Sequence, residues 1–335
     1  MKSKCIGLAI VLAVAFVLPV MGAGRSEAAG PAQVITMRLG HGGTTSDLRQ
    51  EASLVFKEVV ERETDGRATV EIFPDSTLGD WREMQEGLQI GTTDLVIEDI
   101  GTLERYSRMA ALGFLPYVYV SKDHYMRVWD SDVKDVLVNA FQEETGFLLL
   151  GNMFRGARIL TASRPVRQLA DVRGLKIRVP GADSAIAGWQ ALGANPQAMA
   201  FPEVFGALQQ RVIDAQENPL NVIVNNSLFE VAPYITFSNH VYGAFNFQLW
   251  GETFDSWPAD VQRAVRLGAE EASAHYNSVH EDSERQFVQR LETSPGVELI
   301  YLSADEISRW ADAVQPVHAT YSELSDFLAA VQAAR

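Results

Sequence analysis

The sequence has 335 residues, with 28 Lys and Arg against 43 Asp and Glu, a formal net charge of −15 and a pI near 4.9. So acidic a chain argues against nucleic acid and anionic membrane surfaces as partners. It can hold an anion only where arginines locally overturn its global field.

Residues 1–28 read as a secretory signal peptide. Lys2 and Lys4 precede an almost wholly apolar run from Ile6 to Val20, and small residues follow. Ser26-Glu27-Ala28 fits a small-x-small cleavage pattern, with Gly22-Ala23-Gly24 as the competitor. The apolar core is shorter than the ~20 residues of a comfortable membrane span. The single cysteine, Cys5, lies in this leader, so the mature chain is expected to have neither disulfides nor thiol chemistry. Exported and cysteine-free points to a bacterial periplasm, and no second long apolar run predicts insertion into a bilayer. Roughly 300 residues remain, enough for two lobes with separate cores.

In chain order, Val34 to Leu39 predicts a first strand, ending in the glycine-rich turn G-H-G-G-T-T-S at 40–46. Without a following lysine this is no phosphate loop, and it reads as a tight turn that lets the backbone approach a ligand. His41 within it is a cleft-lining or a structural residue. Asp47 caps a helix carrying Leu48, Ala52, Val55, Phe56 and Val59 on one face. Ala68 to Phe73 is a second strand, Leu78-Gly79-Asp80-Trp81 leads a helix ending near Gly91, and Asp94 to Ile97 is a third strand. Ala110 to Val120 reads as a buried crossover, Asp123 to Phe141 as one amphipathic helix, and Phe147 to Met153 as a buried strand ending near Arg155 and Arg158. Gln168 to Arg173 is a polar turn.

The most informative stretch follows, Gly174 to Pro219. Leu175 to Val179 alternates apolar and charged residues, and Pro180-Gly181 ends the strand. That puts Arg178 at a strand's C-terminal end, where open α/β sheets place ligands. Its guanidinium fits a carboxylate side-on through two parallel hydrogen bonds. Ala182 to Leu192 is helical, stopped by Gly193, and Pro202 after Phe201 opens a helix over about 203–210. Val212-Ile213 leads a strand into Asp214, Gln216 and Asn218, and the amide of Asn218 complements an arginine around an oxyanion. Leu88-Gln89 stands to Asp94 as Leu208-Gln209 stands to Asp214, which suggests two lobes of related design facing each other. Glu98 and Asp99 then lie across a cleft from Gln216 and Asn218, as acceptors for ligand hydroxyls or as solvated loop carboxylates. Beyond Pro219 the pattern gives a helix over 220–231, an extended run over 234–242, a helix from Asp255 to about Ser294, a strand over 297–302 and helices after Asp305.

GLKIRVP at 174–180, LGANPQAMAFPEVFGALQ at 192–209, DAQENP at 214–219 and YITFSNHVY at 234–242 resemble the DctP family, the periplasmic solute-binding components of tripartite ATP-independent periplasmic (TRAP) transporters. The resemblance extends from about Val34 to the C-terminal region. It implies an α/β, two-lobed periplasmic binding protein fold with a central cleft, hinge strands and a long helix spanning both lobes. Lobe I is expected over 33–155 plus 243–283, and lobe II over 156–242 plus 284–335. By the same resemblance Arg178 is the carboxylate-binding arginine, Asn218 a ligand-contacting asparagine, Phe201 an aromatic wall and Arg158 a second arginine that only some members use. Trp81, Glu98, Asp99, His41 and Gln216 complete the expected ligand-binding set. The implied partners are a small organic anion and the small and large TRAP membrane subunits, with the protein itself a monomer. Gln210-Arg211 and Ala215 replace glycines common in the family, and Gly181 removes a polar side chain that some sugar-acid binders use. Trp81 and Asp99 differ from the sialic-acid-type pattern and argue against that ligand.

Catalytic signatures are missing: no G-x-S-x-G elbow, no H-E-x-x-H and no cysteine nucleophile. His240, His275 and His280 have no convergent partners at metal-ligand spacing, and no cofactor is expected. Binding without turnover is the reading, with a sensing module for a membrane receptor or a periplasmic lyase or hydrolase as alternatives. The acid is a sugar acid, a dicarboxylate, an oxo acid, an aromatic acid or a sulfonate.

Overall fold

The computed structural model describes residues 34–335, so the leader and its cleavage site lie outside the described residues. The chain opens with β1 (Ile35–His41), α1 (Leu48–Glu63), β2 (Ala68–Phe73), α2 (Trp81–Ile90) and β3 (Leu95–Asp99). Asp47 caps α1 by accepting from the Arg49 amide. Asp80 and Glu83 form a reciprocal capping box on α2, which ends at Gly91 in the left-handed region. Two 3₁₀ turns and the apolar run 110–120 lead to α3 (Lys122–Trp129) and α4 (Asp132–Thr145). The single helix expected over 123–141 is therefore two, because Ser131 leaves the helical conformation and its hydroxyl caps α4.

β4 (Phe147–Ala162) is more than twice the length expected for the strand at 147–153. Next come β5 (Lys176–Val179), α5 (Asp183–Ala191), β6 (Asn195–Ala198), α6 (Val204–Gln209) and β7 (Ala215–Asn218). α7 (Leu220–Asn225) and α8 (Leu228–Val231) divide the helix expected over 220–231, with Ser227 between them at φ 52°. The rest is β8 (Tyr234–Trp250), α9 (Gly251–Ser256), α10 (Ala259–Glu292), β9 (Glu298–Tyr301), α11 (Ala304–His318) and α12 (Ser325–Ala333).

Among the described residues, nine strands form one sheet in the order β2-β1-β3-β8-β4-β7-β5-β6, with β9 paired to β8. Its two ends are built alike. Each is a parallel β-α-β-α-β unit whose first strand lies in the middle, β2-β1-β3 at one end and β6-β5-β7 at the other. The aspartates that suggested a repeat make equivalent contacts. The Asp94 amide donates to the Arg38 carbonyl, and the Arg38 amide donates to Asp94 Oδ2 at 2.8 Å. The Asp214 amide donates to the Lys176 carbonyl, and the Lys176 amide donates to Asp214 Oδ2 at 3.1 Å.

β4 and β8 run antiparallel through the middle of the sheet and join the two units, with register shifts at Leu150/Met153, Phe154/Ala157 and Arg158/Leu160. Such bulges bend a strand and raise its twist. α10, with 34 residues, is about 50 Å long at 1.5 Å per residue, and lies against β4. At the second bulge Gly156 adopts φ 82°, and a side chain there would collide with Glu284 of α10. The core falls into several clusters. One joins β1, β2 and β3 to α1, β8 and α10 through Phe56, Phe247 and Tyr276, and another joins β5 and α5 to α11 through Trp189 and Trp310. Val317, Tyr321, Leu324 and Val331 share a core with the 111–137 segment, so the C-terminal helices are tied to elements from the first half of the chain.

Candidate functional site

Strands β1, β3, β5 and β7 point their C-terminal ends at one cleft, the location predicted for ligands in open α/β sheets. The cleft has about 620 Å³ of atom-free space, its open mouth included, of which water centres can occupy about 60 Å³. One water needs ~10–15 Å³ by that measure, so the slot suits a small molecule. Its walls come from both units: Gly42, Arg49, Ser76, Trp81 and Glu98 from the first, Arg178, Pro180, Phe201 and Asn218 from the second, and Arg155, Arg158 and Phe245 from the joining strands. Arg82 reaches across the mouth, where its Nη2 donates to the Gly181 carbonyl at 3.2 Å, and any side chain at 181 would collide with it.

Four guanidiniums line this cleft, and each is less than 5% exposed. Three face carboxylates. Arg49 donates from Nε and Nη2 to Asp47 at 3.0 and 3.1 Å. Its Nη1 lies 3.9 Å from Glu98, and its guanidinium stacks 4.5 Å from the Phe245 ring centre. Arg155 Nη2 sits 2.9 Å from Asp99 Oδ2 without the alignment of a hydrogen bond. Arg158 donates from Nε and Nη2 to the Glu217 carboxylate, the latter at 2.7 Å, and from Nη2 to the Glu217 carbonyl at 2.7 Å.

Arg178 differs. Its Nε and Nη2 donate to the Met199 carbonyl at 2.9 and 2.8 Å, and it has no carboxylate partner among the described residues. Burial, with Arg158 alongside, lowers it to about 10. The Phe201 ring lies 5.7 Å from its guanidinium. Because the Met199 carbonyl occupies the Nε/Nη2 edge, the side-on approach expected from sequence is blocked. The Nη1/Nη2 end remains for an incoming anion. Val179 ends β5 one residue beyond Arg178 and Pro180 follows, so Arg178 stands beside the strand's C-terminal end, in the cleft wall.

Behind Arg158 lies a buried relay that sequence reasoning missed. Glu217 Oε2 is 3.0 Å from His240 Nε2, and His240 Nδ1 is 2.9 Å from the Ser238 hydroxyl. Burial alone would raise the Glu217 carboxyl, yet Arg158 and the His240 hydrogen bond hold it down at about 2. Burial lowers His240 and so favours the neutral ring. Trp189 stacks edge-on against His240 at 5.1 Å and is core rather than cleft wall.

Of the nine residues expected from sequence, Arg178, Arg158, Asn218, Phe201, Glu98 and Trp81 line the cleft. The other three are placed elsewhere. His41 is fully buried, bonded through Nε2 to Gln50 and accepting the Gly43 amide on Nδ1, so it organises the glycine-rich turn. Asp99 turns inward to Arg155 and accepts the Gly101 amide at 2.7 Å. Gln216 points away along β7, donating to the Thr161 hydroxyl and accepting from Asn218 Nδ2 at 2.6 Å. The alternation of side chains along a strand puts Gln216 and Asn218 on one face, but only Asn218 stands at the cleft end. Arg49, Arg155, Phe114 and Phe245 were not expected in the wall. The one local signal was Arg49, two residues after the capping Asp47.

Among the described residues, no group of three or more His, Cys, Asp or Glu is placed to hold a metal ion. No helix there is long and apolar enough to cross a membrane.

Residues 39–324 match the family profile described as bacterial extracellular solute-binding protein, family 7 (DctP). A solute-binding protein of Roseobacter denitrificans is 34% identical over 273 residues, covering 82% of this chain and 81% of that one. The crystal structure of a TRAP periplasmic solute-binding protein from Roseobacter denitrificans with bound L-galactonate superposes with a TM-score of 0.84 at 31% identity, covering 90% of this chain and 99% of that one. A TRAP periplasmic solute-binding protein from Shewanella oneidensis with bound succinate gives 0.85 at 28% identity, covering 90% and 99%.

Proposed function

The chain belongs to the DctP family of TRAP periplasmic solute-binding proteins, and on that premise we propose that it captures a small organic acid in this cleft and hands it to the membrane subunits of a TRAP transporter. One observation carries the reading: Arg178 is the only cleft guanidinium without an acidic partner among the described residues. A desolvated cation with free donors attracts a carboxylate far more strongly than an exposed one does, because the surroundings screen it less. Asn218 and Phe201 flank the anion, and Trp81 and Glu98 face it from the opposite unit. That relatives are seen with L-galactonate and with succinate supports a carboxylate cargo and leaves the body of the ligand to the wall.

The two β-α-β-α-β units act as lobes that close about β4, β8 and α10. Ligand favours the closed state to the extent that it binds that state more tightly. Residues 1–28 direct export to the periplasm, where the monomer binds its cargo without chemical turnover. A thermal-shift screen over organic acids tests this. A true ligand at 100 times Kd stabilises by about 2.7 kcal/mol, and Arg178→Met abolishes that shift. An undiminished shift in the variant would remove Arg178 from the site.

A further inference from the structure

Among the described residues, four guanidiniums line the cleft, and three of them have a carboxylate partner. Asp47 faces Arg49, Asp99 faces Arg155, and Glu217 takes both Nε and Nη2 of Arg158. Glu98 and Asp80 line the same cavity as further carboxylates. Arg178 alone is left, with nothing but a peptide carbonyl as its acceptor.

We propose that the cleft selects acids carrying one carboxylate over diacids of the same skeleton, and that Glu217 sets this preference by cancelling the charge of Arg158. The inference rests on capture of the carboxylate by Arg178. A monoanion seated on Arg178 gives that guanidinium the acidic partner that Arg49, Arg155 and Arg158 already have. A second carboxylate on the same ligand finds no cation without an acidic partner among the described residues: Arg158 already donates to Glu217 Oε1, Oε2 and the Glu217 carbonyl, and Arg49 and Arg155 face Asp47 and Asp99. It also meets Glu98, whose closest cation is Arg49 Nη1 at 3.9 Å. Burying a carboxylate without a counter-charge is costly, and like charges facing each other add to that cost. A hydroxyl at the same place instead donates to Glu98 or Asp80. His240 keeps Glu217 in position by a 3.0 Å contact to Oε2, so the compensating carboxylate is itself held from behind.

Isothermal titration of the full chain with matched pairs tests the proposal. Galactonate against galactarate, and 4-hydroxybutanoate against succinate, differ only in a terminal CH₂OH or carboxylate. The monoacid of each pair is expected to bind at least about tenfold more tightly, and Glu217→Gln, which frees the Arg158 charge, is expected to shrink that ratio severalfold. A diacid that binds as tightly as its monoacid partner, or a ratio unmoved in a folded Glu217→Gln protein, overturns the proposal. Should Glu217→Gln fail to fold, the wild-type ratios decide alone. Arg178→Met separates the two ways of failing. If that variant binds the acids as wild type does, capture on Arg178 falls and the selectivity with it. If it binds none while wild type prefers the diacid, only the selectivity falls.

Discussion

A buried arginine without a counter-charge costs an empty protein stability, and Arg178 is such a residue. Its depressed value of about 10 means that the folded state binds this proton less tightly than the unfolded chain does. At every pH below that value the cation therefore destabilises the fold, on the order of 3 kcal/mol from the size of the shift. Arg178→Met is accordingly expected to raise the melting temperature of the unliganded protein by several degrees while erasing ligand stabilisation, a pairing of gain and loss that calorimetry reads directly. A lower melting temperature would mean that the Met199 carbonyl bonds and the Phe201 contact outweigh the burial cost. Arg178, Phe201 and Asn218 were legible in the sequence because Pro180, Pro202 and Pro219 mark chain punctuation beside each of them. The pairings that neutralise the other arginines were not. Arg158 and Glu217 lie 59 residues apart, and only the β4–β7 ladder brings them together.

At the scale of elements, the repeated turn before β3 and β7 is a structural joint. Removing the carboxylate in Asp214→Ala leaves the Lys176 amide without its acceptor and is expected to cost about 1 kcal/mol in urea unfolding, and Asp94→Ala should cost a similar amount through the Arg38 amide, plus at most a few tenths from the half-exposed Arg38 Nε pair at 3.3 Å. Unequal costs would show that the likeness of the two units is one of trace, not of energetics. That repeat was visible in sequence as Leu-Gln and Asp at a fixed spacing, whereas the lengths of β4 and β8 were not. Both strands carry glycines and polar residues at their bulges, which interrupt the alternation on which strand reading depends. Gly156→Ala puts a side chain at φ 82° and against Glu284, and is expected to destabilise by about 1–3 kcal/mol. A neutral result would show that the Glu284 carboxylate swings aside and that the backbone at 156 tolerates a side chain.

For the whole molecule, buried ionisable groups set the pH response. Burial lowers His41 and His280 to about 4, so the unfolded chain takes up their protons first as pH falls below 6.5. Each therefore adds stability as pH rises from about 4 to 6.5. Asp99 works in the opposite direction, since burial raises it to about 6 and stability falls as it ionises. Burial also lowers His240 and His318, which act with these histidines, and raises Glu104 and Glu284, which act with Asp99. With four histidines on the rising side, the urea midpoint is expected to be higher at pH 6.5 than at pH 4.5. His280→Phe, which keeps a ring against Phe154 and Tyr276, should flatten the profile, and an unchanged slope would exclude His280 as a contributor. The proposed function rests on the cleft between the two units and on Arg178, the cleft guanidinium without a carboxylate partner among the described residues. Its most direct test is the crystal structure of the chain with the tightest acid found by thermal shift. The account predicts the carboxylate at hydrogen-bond distance from Nη1 and Nη2 of Arg178, enclosed between Phe201 and Trp81. An acid bound elsewhere, or one whose carboxylate turns away from Arg178, would contradict it.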